Sequence, residues 1–314
     1  MLGATLLGLA LSPLALLAAA IFDVARARWR LPTARVMAFL LQYGVNDCVE
    51  IVLSPVLWVL AGFGTRLTAP RSIRRHQRLQ AWSLTVLARR ADQLLGLRMT
   101  IDDPGRAALA RGPVIALCRH VSIVDASLPA LLYQRLGFHS QGVIMAELLA
   151  DPGFDLLYGR TGSVFINRDD GPAAVASIRT MGRSVDAQTA LIVFPEGQLF
   201  RPERLVRSQA RALEREPRRA TMVGGLRHVL PPRPSGTLAL LDAVPAADVV
   251  IIAHTGLERF STFAALARSV PLRHPIRVTA WRIARAEIPT DREARAEWLD
   301  QQWARLDAWC EAQR

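Results

Sequence analysis

The amino terminus carries an uncharged apolar run that restricts what this chain can fold into. Residues 2–22 are almost entirely Leu, Ala, Ile and Gly, and none of them is charged. A helix of about 20 such residues is long enough to cross a bilayer. No basic residue precedes the run, whereas Arg26, Arg28 and Arg30 follow it, which is unlike a signal peptide. We therefore expect a membrane-anchoring helix here.

A second apolar stretch, residues 36–63, is less regular. Asp47 and Glu50 interrupt it and Pro55 lies inside it. A charge at the bilayer centre costs about 2.5 to 3.5 kcal/mol, so the pattern favours a bent or re-entrant pair of helices over one clean span. Arginine clusters at 26–35 and 66–78 flank this stretch, and the positive-inside rule places both on the cytoplasmic side.

Two full crossings cannot put both arginine clusters on one side of the membrane. Either the second stretch enters the bilayer and returns, or the first stretch lies partly in the interface. A buried hydrophobic hairpin in a soluble protein is the remaining interpretation of these two stretches.

Composition excludes several classes of protein. Hydrophobic residues make up 51% of the chain, which excludes a disordered protein. Cys48, Cys118 and Cys310 lie far apart, which excludes a disulfide-stapled module and argues against a zinc module. All 39 basic residues are arginine and the net charge is +12, a bias that codon usage also explains. The arginines are dispersed and no nucleic-acid-binding module is recognisable, so the charge points to an anionic lipid surface instead.

The rest of the chain predicts an α/β domain. Residues 72–96 have helical spacing, and Gly96 is a plausible stop. Short apolar runs then alternate with helical patterns, at 113–118, 141–145, 163–166, 190–194, 248–253 and 276–281. Runs that are apolar on both faces predict a mostly parallel sheet flanked by helices.

The last segment predicts a packing helix. Thr290 and Glu293 have the spacing of a capping box, and an apolar stripe follows at Trp298, Trp303 and Trp309. The predicted organisation is therefore a pair of membrane-anchoring helices in residues 1–64, followed by an α/β catalytic domain in residues 65–314.

Three predicted strands are followed by polar residues that can do chemistry. Ligands of open α/β sheets gather at the carboxyl ends of the strands. His120 and Asp125 follow the run 113–118, and a loop that turns into a helix at Asp125 would bring them together. A carboxylate bonded to one imidazole nitrogen lets the other nitrogen remove a proton from a hydroxyl. The same spacing also fits a loop histidine beside a helix N-cap aspartate.

Arg168 and Glu196 follow two further runs. Arginine at a strand end is a bidentate partner for phosphate or carboxylate, although an ion pair with a following aspartate is also open. Glu196 lies between Pro195 and Gly197 on a sharp turn, where it could contact substrate hydroxyls or orient Arg168. A helix N-terminal acid is the plainer interpretation of Glu196.

Together these motifs resemble those of the glycerolipid acyltransferase family, which comprises the 1-acylglycerol-3-phosphate and glycerol-3-phosphate acyltransferases. The matching segments, in order, are His120-x4-Asp125, the segment 162–168, the Phe-Pro-Glu-Gly segment 194–197 and the proline loop 229–236. Residues 36–90 and 298–309 are also similar to the branch that contains the longer lysophosphatidate and lysocardiolipin acyltransferases.

The resemblance implies a membrane-bound O-acyltransferase that uses no metal or cofactor. His120 would be the general base on the hydroxyl of 1-acylglycerol-3-phosphate, and Asp125 would orient it. The hydroxyl would attack the thioester of acyl-CoA or acyl carrier protein and give phosphatidate. The residues implied in acceptor binding are Arg168, Phe194, Pro195, Glu196, Gly197, Arg201 and Arg233.

The resemblance also implies where the enzyme works and with what. Its partners would be a lysophospholipid, the acyl donor and membrane lipids, with no nucleic acid among them. The catalytic domain would lie on the cytoplasmic face of the membrane.

Two positions depart from the family pattern. Arg119 stands where many members have Asn, and residues 198–199 are Gln-Leu where many members have Thr-Arg. Another lysophospholipid, glycerol-3-phosphate and a non-catalytic lipid-binding role therefore stay open as alternatives. His254 also follows a predicted strand, but because no partner is evident nearby in the sequence we interpret it as structural.

Overall fold

The computed structural model describes residues 2–167, 171–215, 217–258, 260 and 262–314. The chain forms two compact units. Unit 1 comprises Met1–Met99, Glu147–Thr161 and Thr262–Ile276, and unit 2 comprises Thr100–Ala146, Gly162–Ser261 and Arg277–Arg314. These units do not divide at residue 64, because the helix that follows this position packs on the second apolar helix. The functional division into an anchor and a catalytic domain stays a prediction.

The helices and strands are numbered in chain order. The helices are α1 (Leu2–Ala25), α2 (Pro32–Leu60), α3 (Pro70–Arg90), α4 (Asp103–Leu109), α5 (Leu128–Arg135), α6 (Pro152–Leu157), α7 (Gly171–Met181), α8 (Pro202–Arg215), α9 (Ala220–Gly224), α10 (Pro234–Ala243), α11 (Phe263–Ser269) and α12 (Arg292–Ala312). The strands are β1 (Met99–Ile101), β2 (Val114–Cys118), β3 (His139–Met145), β4 (Val164–Ile166), β5 (Thr189–Val193), β6 (Asp248–Thr255) and β7 (Ile276–Ile283).

A buried aspartate joins the first two helices of unit 1. Asp23, near the end of α1, accepts hydrogen bonds from the amides of Thr33 and Ala34 at 2.8 and 3.1 Å. It also accepts one from the Thr33 hydroxyl at 2.7 Å. These bonds satisfy amides of the first turn of α2 that have no partner within the helix. Asp23 therefore fixes the point at which the chain leaves α1 and enters α2.

Helix α2 is one helix and not the bent or re-entrant pair that the sequence predicts. Its polar residues are buried within unit 1, where the Asn46 amide donates to Ser83 Oγ on α3 at 3.1 Å. Because Asp47 and Glu50 are buried as well, these carboxylates do not require the helix to break. Among the described residues, α2 is the one helix long and apolar enough to cross a membrane, and Ala10–Ala25 is a shorter apolar helix.

Unit 2 contains the predicted α/β fold. The seven strands lie in the order β1-β7-β6-β2-β5-β3-β4. The neighbours from β6 to β4 are parallel, and β7 pairs antiparallel with β6. Each of the six apolar runs forms a strand, and the short strand β1 is an addition that the sequence did not reveal. Strands β2 and β5 are buried along their whole length, which is why they appear in the sequence as continuous apolar runs.

The carboxyl-terminal helix packs on the core of unit 2. Trp298, Leu299, Trp303 and Leu306 are buried with the apolar residues of β5 and β6, which confirms the packing role predicted for this stripe. The capping box predicted at Thr290 is wrong by one residue. Asp291 caps α12, and its side chain accepts from the amide of Ala294 at 2.9 Å.

Candidate functional site

The carboxyl ends of three adjacent parallel strands meet at one edge of the sheet in unit 2. Strand β2 lies between β6 and β5, so the residues that follow these strands are neighbours. His120 follows β2, Glu196 follows β5 and His254 lies at the end of β6. This is the edge at which open α/β sheets bind ligands.

His120 and Asp125 form the pair that the sequence predicts. Nδ1 of His120 lies 2.7 Å from Oδ1 of Asp125. Oδ2 of Asp125 accepts hydrogen bonds from the amides of Val121 and Ser122 at 2.6 and 2.8 Å. The Asp125 side chain is 0% exposed and that of His120 is 20% exposed. A carboxylate can only accept here, so Nδ1 of His120 carries the proton and Nε2 is the free basic nitrogen.

Local geometry explains why five residues suffice to bring the pair together. The chain between them is a loop that enters a short 3-10 turn at Asp125–Ser127, directly before α5. Pro129 lies in the first turn of α5, where its missing amide costs no helical hydrogen bond. The two amides bonded to Asp125 fold the loop back on its own carboxylate.

Glu196 is buried beneath His120 and the proline loop. Its Oε1 accepts from the amide of His120 at 3.0 Å, and its Oε2 accepts from the amide of Leu230 at 2.9 Å. The residue is 1% exposed, and this burial raises the pKa of its carboxyl to about 7. Both oxygens therefore hold backbone segments in place. Direct contact of Glu196 with a substrate hydroxyl stays a prediction.

The other residues of the Phe-Pro-Glu-Gly segment contact the site in different ways. The rings of Phe194 and His120 lie 4.5 Å apart, tilted by 36°. The carbonyl of Pro195 accepts from the amide of Arg233 at 2.8 Å. Gly197 has a φ of +66°, and a β-carbon there would come within 3.2 Å of the Arg233 side chain. The proline loop, and Arg233 with it, therefore packs against the Phe-Pro-Glu-Gly turn.

Two further arginines were predicted to bind the acceptor. The amide of Phe200 donates to the carbonyl of His120 at 2.7 Å, which brings the start of α8, and with it Arg201, close to the histidine. Nε of Arg201 is shielded from solvent and has no hydrogen-bond partner in the described part of the chain. Arg168 lies outside the described residues, so its predicted role at the end of β4 stays a prediction.

Two residues beside this pair, Arg119 and His254, received no role in the site from the sequence alone. Arg119 is 2% exposed, and its guanidinium donates to the carbonyls of His254 and His228 and to Glu258. Nε2 of His254 lies 3.6 Å from Oδ2 of Asp125. The signal in the sequence was an arginine between a predicted buried strand and His120, because a charge that becomes buried there requires partners. No neighbour of His254 in the sequence is a partner for it, but in the fold Asp125 lies beside it.

Helix α12 supports the proline loop. Oδ1 of Asp307 accepts from the consecutive amides of Arg227, His228 and Val229 at 3.0, 2.6 and 3.2 Å. The next amide in the chain, that of Leu230, donates to Glu196. A carboxylate far along the sequence therefore sets the position of the loop that contacts the site.

Other reactive groups do not join this cluster. Burial raises the pKa of the Cys118 thiol well above its ordinary value, which disfavours the nucleophilic thiolate. Within the described residues, no group of three or more His, Cys, Asp or Glu side chains is arranged to hold a metal ion.

Comparison with known proteins shows what the site segment is similar to. Residues 100–222 match the Acyltransferase family model. No curated protein matches the chain. Among solved structures, it is similar to the 1-acyl-sn-glycerophosphate (LPA) acyltransferase PlsC from Thermotoga maritima, with 14% identity, 85% of this chain and 97% of that chain covered, and a TM-score of 0.49. The matched segment, residues 100–222, carries His120, Asp125 and Glu196 and is thus similar to the Acyltransferase family that the motifs predicted.

Proposed function

We propose that this protein transfers a fatty acyl group from acyl-CoA or acyl carrier protein to the free hydroxyl of 1-acylglycerol-3-phosphate, giving phosphatidate. The observation that carries the proposal is the 2.7 Å contact between His120 Nδ1 and a fully buried Asp125. A carboxylate held this firmly stabilises the imidazolium that forms when His120 accepts a proton. The Acyltransferase match over the same residues supports this chemistry.

The reaction would proceed in a single exchange of bonds at the thioester carbonyl. Nε2 of His120 takes the proton of the acceptor hydroxyl while the hydroxyl oxygen attacks the carbonyl carbon. The carbon–sulfur bond breaks, the new ester bond forms, and the imidazolium returns its proton to the leaving thiolate. The proposed step uses no metal, cofactor or covalent enzyme intermediate.

Arginines would hold the acceptor phosphate. Arg168, Arg201 and Arg233 all follow strands or turns of the motifs, and guanidinium groups bind phosphate through paired hydrogen bonds. Contacts support this role for Arg201 and Arg233. Arg233 packs on Gly197, and the amide of Phe200, the residue before Arg201, donates to the His120 carbonyl.

Unit 1 would associate with the membrane. Its first two helices expose apolar side chains at Leu11, Leu14, Leu17, Ile21, Val52, Val56 and Val59. Apolar side chains exposed in this number are typical of membrane or partner surfaces. The arginines at 26–35 and 66–78 favour an anionic, cytoplasmic leaflet. A membrane location matches a lipid acceptor and product.

Acyl transfer in vesicles tests the proposal. Membranes that contain the protein would receive labelled acyl-CoA or labelled acyl carrier protein, together with a panel of lysophospholipids and glycerol-3-phosphate. We expect labelled phosphatidate from lysophosphatidate, and at least a hundredfold slower transfer by His120→Ala. His139→Ala, on β3, is the matched control and should retain activity. Equal rates for His120→Ala and the wild type would refute the mechanism.

A different acceptor headgroup is the second candidate. The segment after Gly197 reads Gln198-Leu199 and lacks the arginine that many family members carry there. If that arginine contributes to phosphate binding elsewhere, this chain has one fewer positive charge at the same place. The same acceptor panel separates the two candidates, because a preference for another lysophospholipid or for glycerol-3-phosphate would identify the alternative.

A further inference from the structure

A fully buried histidine lies beside Asp125 and has no part in the mechanism above. Nε2 of His254 lies 3.2 Å from the carbonyl oxygen of Arg119 and 3.6 Å from Oδ2 of Asp125. Both neighbours are acceptors, so Nε2 carries the proton. Nδ1 has no hydrogen-bond partner within the described residues, which matches the unprotonated nitrogen of a neutral ring. The N–H group therefore donates to the Arg119 carbonyl and also faces, at 3.6 Å, the carboxylate that orients His120.

Arg119 and His254 bond to each other in both directions. The Arg119 guanidinium donates to the His254 carbonyl at 2.7 Å, and the His254 ring donates to the Arg119 carbonyl. The Arg119 amide also donates to the carbonyl of Ile252 on β6 at 3.3 Å. This reciprocal pair joins the ends of β2 and β6 directly before His120. It accounts for the arginine at position 119, because a shorter Asn side chain cannot reach these partners.

Burial keeps the His254 ring neutral by lowering its pKa. Asp125, Arg119 and Glu258 are the charged groups that face it, and burial together with the Arg119 guanidinium lowers its pKa against the two carboxylates. A neutral ring presents one N–H to Asp125 and adds no full charge to the pair. Oδ2 of Asp125 thereby faces the positive end of the His254 N–H dipole at 3.6 Å, in addition to the hydrogen bonds that Asp125 accepts from His120, Val121 and Ser122.

We propose that His254 is a positioning residue of the acyl-transfer site. Its Nε2–H, held in place by Arg119, fixes the Asp125 carboxylate in the orientation that aligns His120. This inference rests on the proposed function, since it assigns His254 a part in the same proton transfer. It concerns a residue outside the segment 100–222 that matches the Acyltransferase family.

Two polar substitutions separate this role from simple packing. Gln places an amide N–H near the position of Nε2, whereas the shorter Asn does not reach it. We expect His254→Asn to lower kcat roughly 3- to 10-fold, the range for losing one neutral hydrogen bond, here that to the Arg119 carbonyl, with the acceptor KM within about twofold. His254→Gln should recover most of the loss. Thr237→Val, a fully buried polar position on α10, is the control and should leave kcat unchanged.

Nuclear magnetic resonance of the imidazole groups gives a readout that does not depend on turnover. The proton on Nδ1 of His120 should be protected from exchange in the wild type and in His254→Gln, and should exchange rapidly in His254→Asn. Unchanged protection in His254→Asn, equal kcat losses in both variants, or a raised KM at constant kcat would each overturn the proposal. A wild type that acylates no acceptor while this proton is protected would refute the proposed function and leave the positioning role supported.

Discussion

The backbone amide of His120 donates a hydrogen bond to the side chain of Glu196 at 3.0 Å, across the ends of two adjacent parallel strands. The other oxygen of Glu196 holds the amide of Leu230 in the proline loop. One buried carboxylate thus joins the segment that carries the histidine to the loop that carries Arg233. The position of His120 and that of the proline loop therefore depend on the same side chain.

Burial of Glu196 predicts a pH-dependent stability. Its pKa is about 7 in the folded protein and near 4.5 in the unfolded chain. Because the folded state binds this proton more tightly than the unfolded chain, protonation of Glu196 stabilises the fold. This contribution is fully present below pH 4.5 and is lost as the pH rises through 7. The unfolding free energy of the wild type, relative to Glu196→Gln, should fall by on the order of 2–3 kcal/mol from pH 5 to 8 in urea titrations.

Glu203→Gln, at an exposed position on α8, is the control for the removal of one carboxylate and should follow the wild type at every pH. Parallel stability curves for the wild type and Glu196→Gln would contradict the raised pKa.

Asp125→Asn should cost far more activity than stability. The amide group can place an N–H toward His120 Nδ1 and so favour the wrong tautomer of the imidazole. We expect kcat to fall roughly 10²- to 10⁴-fold, while the loss of charge next to two bonded amides costs about 1–3 kcal/mol of folding free energy. Initial rates and thermal unfolding of the same sample measure both effects. Asp103→Asn, on the exposed face of α4, should change neither.

Gly197→Ala tests the contact between the Phe-Pro-Glu-Gly turn and Arg233. An alanine there meets a strained φ of +66° and a contact of 3.2 Å with the arginine side chain. We expect a loss of about 1–2 kcal/mol in folding free energy and a raised acceptor KM. Gly137→Ala is the matched control, since Gly137 has a φ of +81° and open space around its α-carbon. Gly137→Ala should lower the folding free energy and leave the acceptor KM unchanged. Similar KM values in the two variants would show that displacement of Arg233 has no effect on the acceptor.

Arginine substitutions test how the acceptor is held. Arg168→Ala and Arg201→Ala should each raise the KM for lysophosphatidate about 10- to 100-fold, because each removes a charged hydrogen-bond donor from the phosphate. Monoacylglycerol, which lacks the phosphate, should react with an unchanged KM in both variants. An unchanged KM for lysophosphatidate in either variant would remove that arginine from phosphate binding.

Sequence patterns alone predict the α/β class, the six main strands and the His120–Asp125 pair. These features are local, because a strand buried on both faces is a continuous apolar run and five residues of loop can close on their own aspartate. The start of α12 was misplaced by one residue, since Thr290 and Asp291 are both good N-caps and only the backbone decides between them.

The remaining features depend on contacts between elements that are distant in the sequence. Strand order brought the end of β6 next to that of β2, so His254 acquired Asp125 as a neighbour across more than a hundred residues of sequence. Packing of α2 on α3 and α6 buried its polar residues and kept the helix whole. Glu196, which the sequence places on an exposed turn, is buried and accepts hydrogen bonds from two backbone segments. Each outcome depends on contacts distant in sequence, which local patterns of charge and hydropathy do not encode.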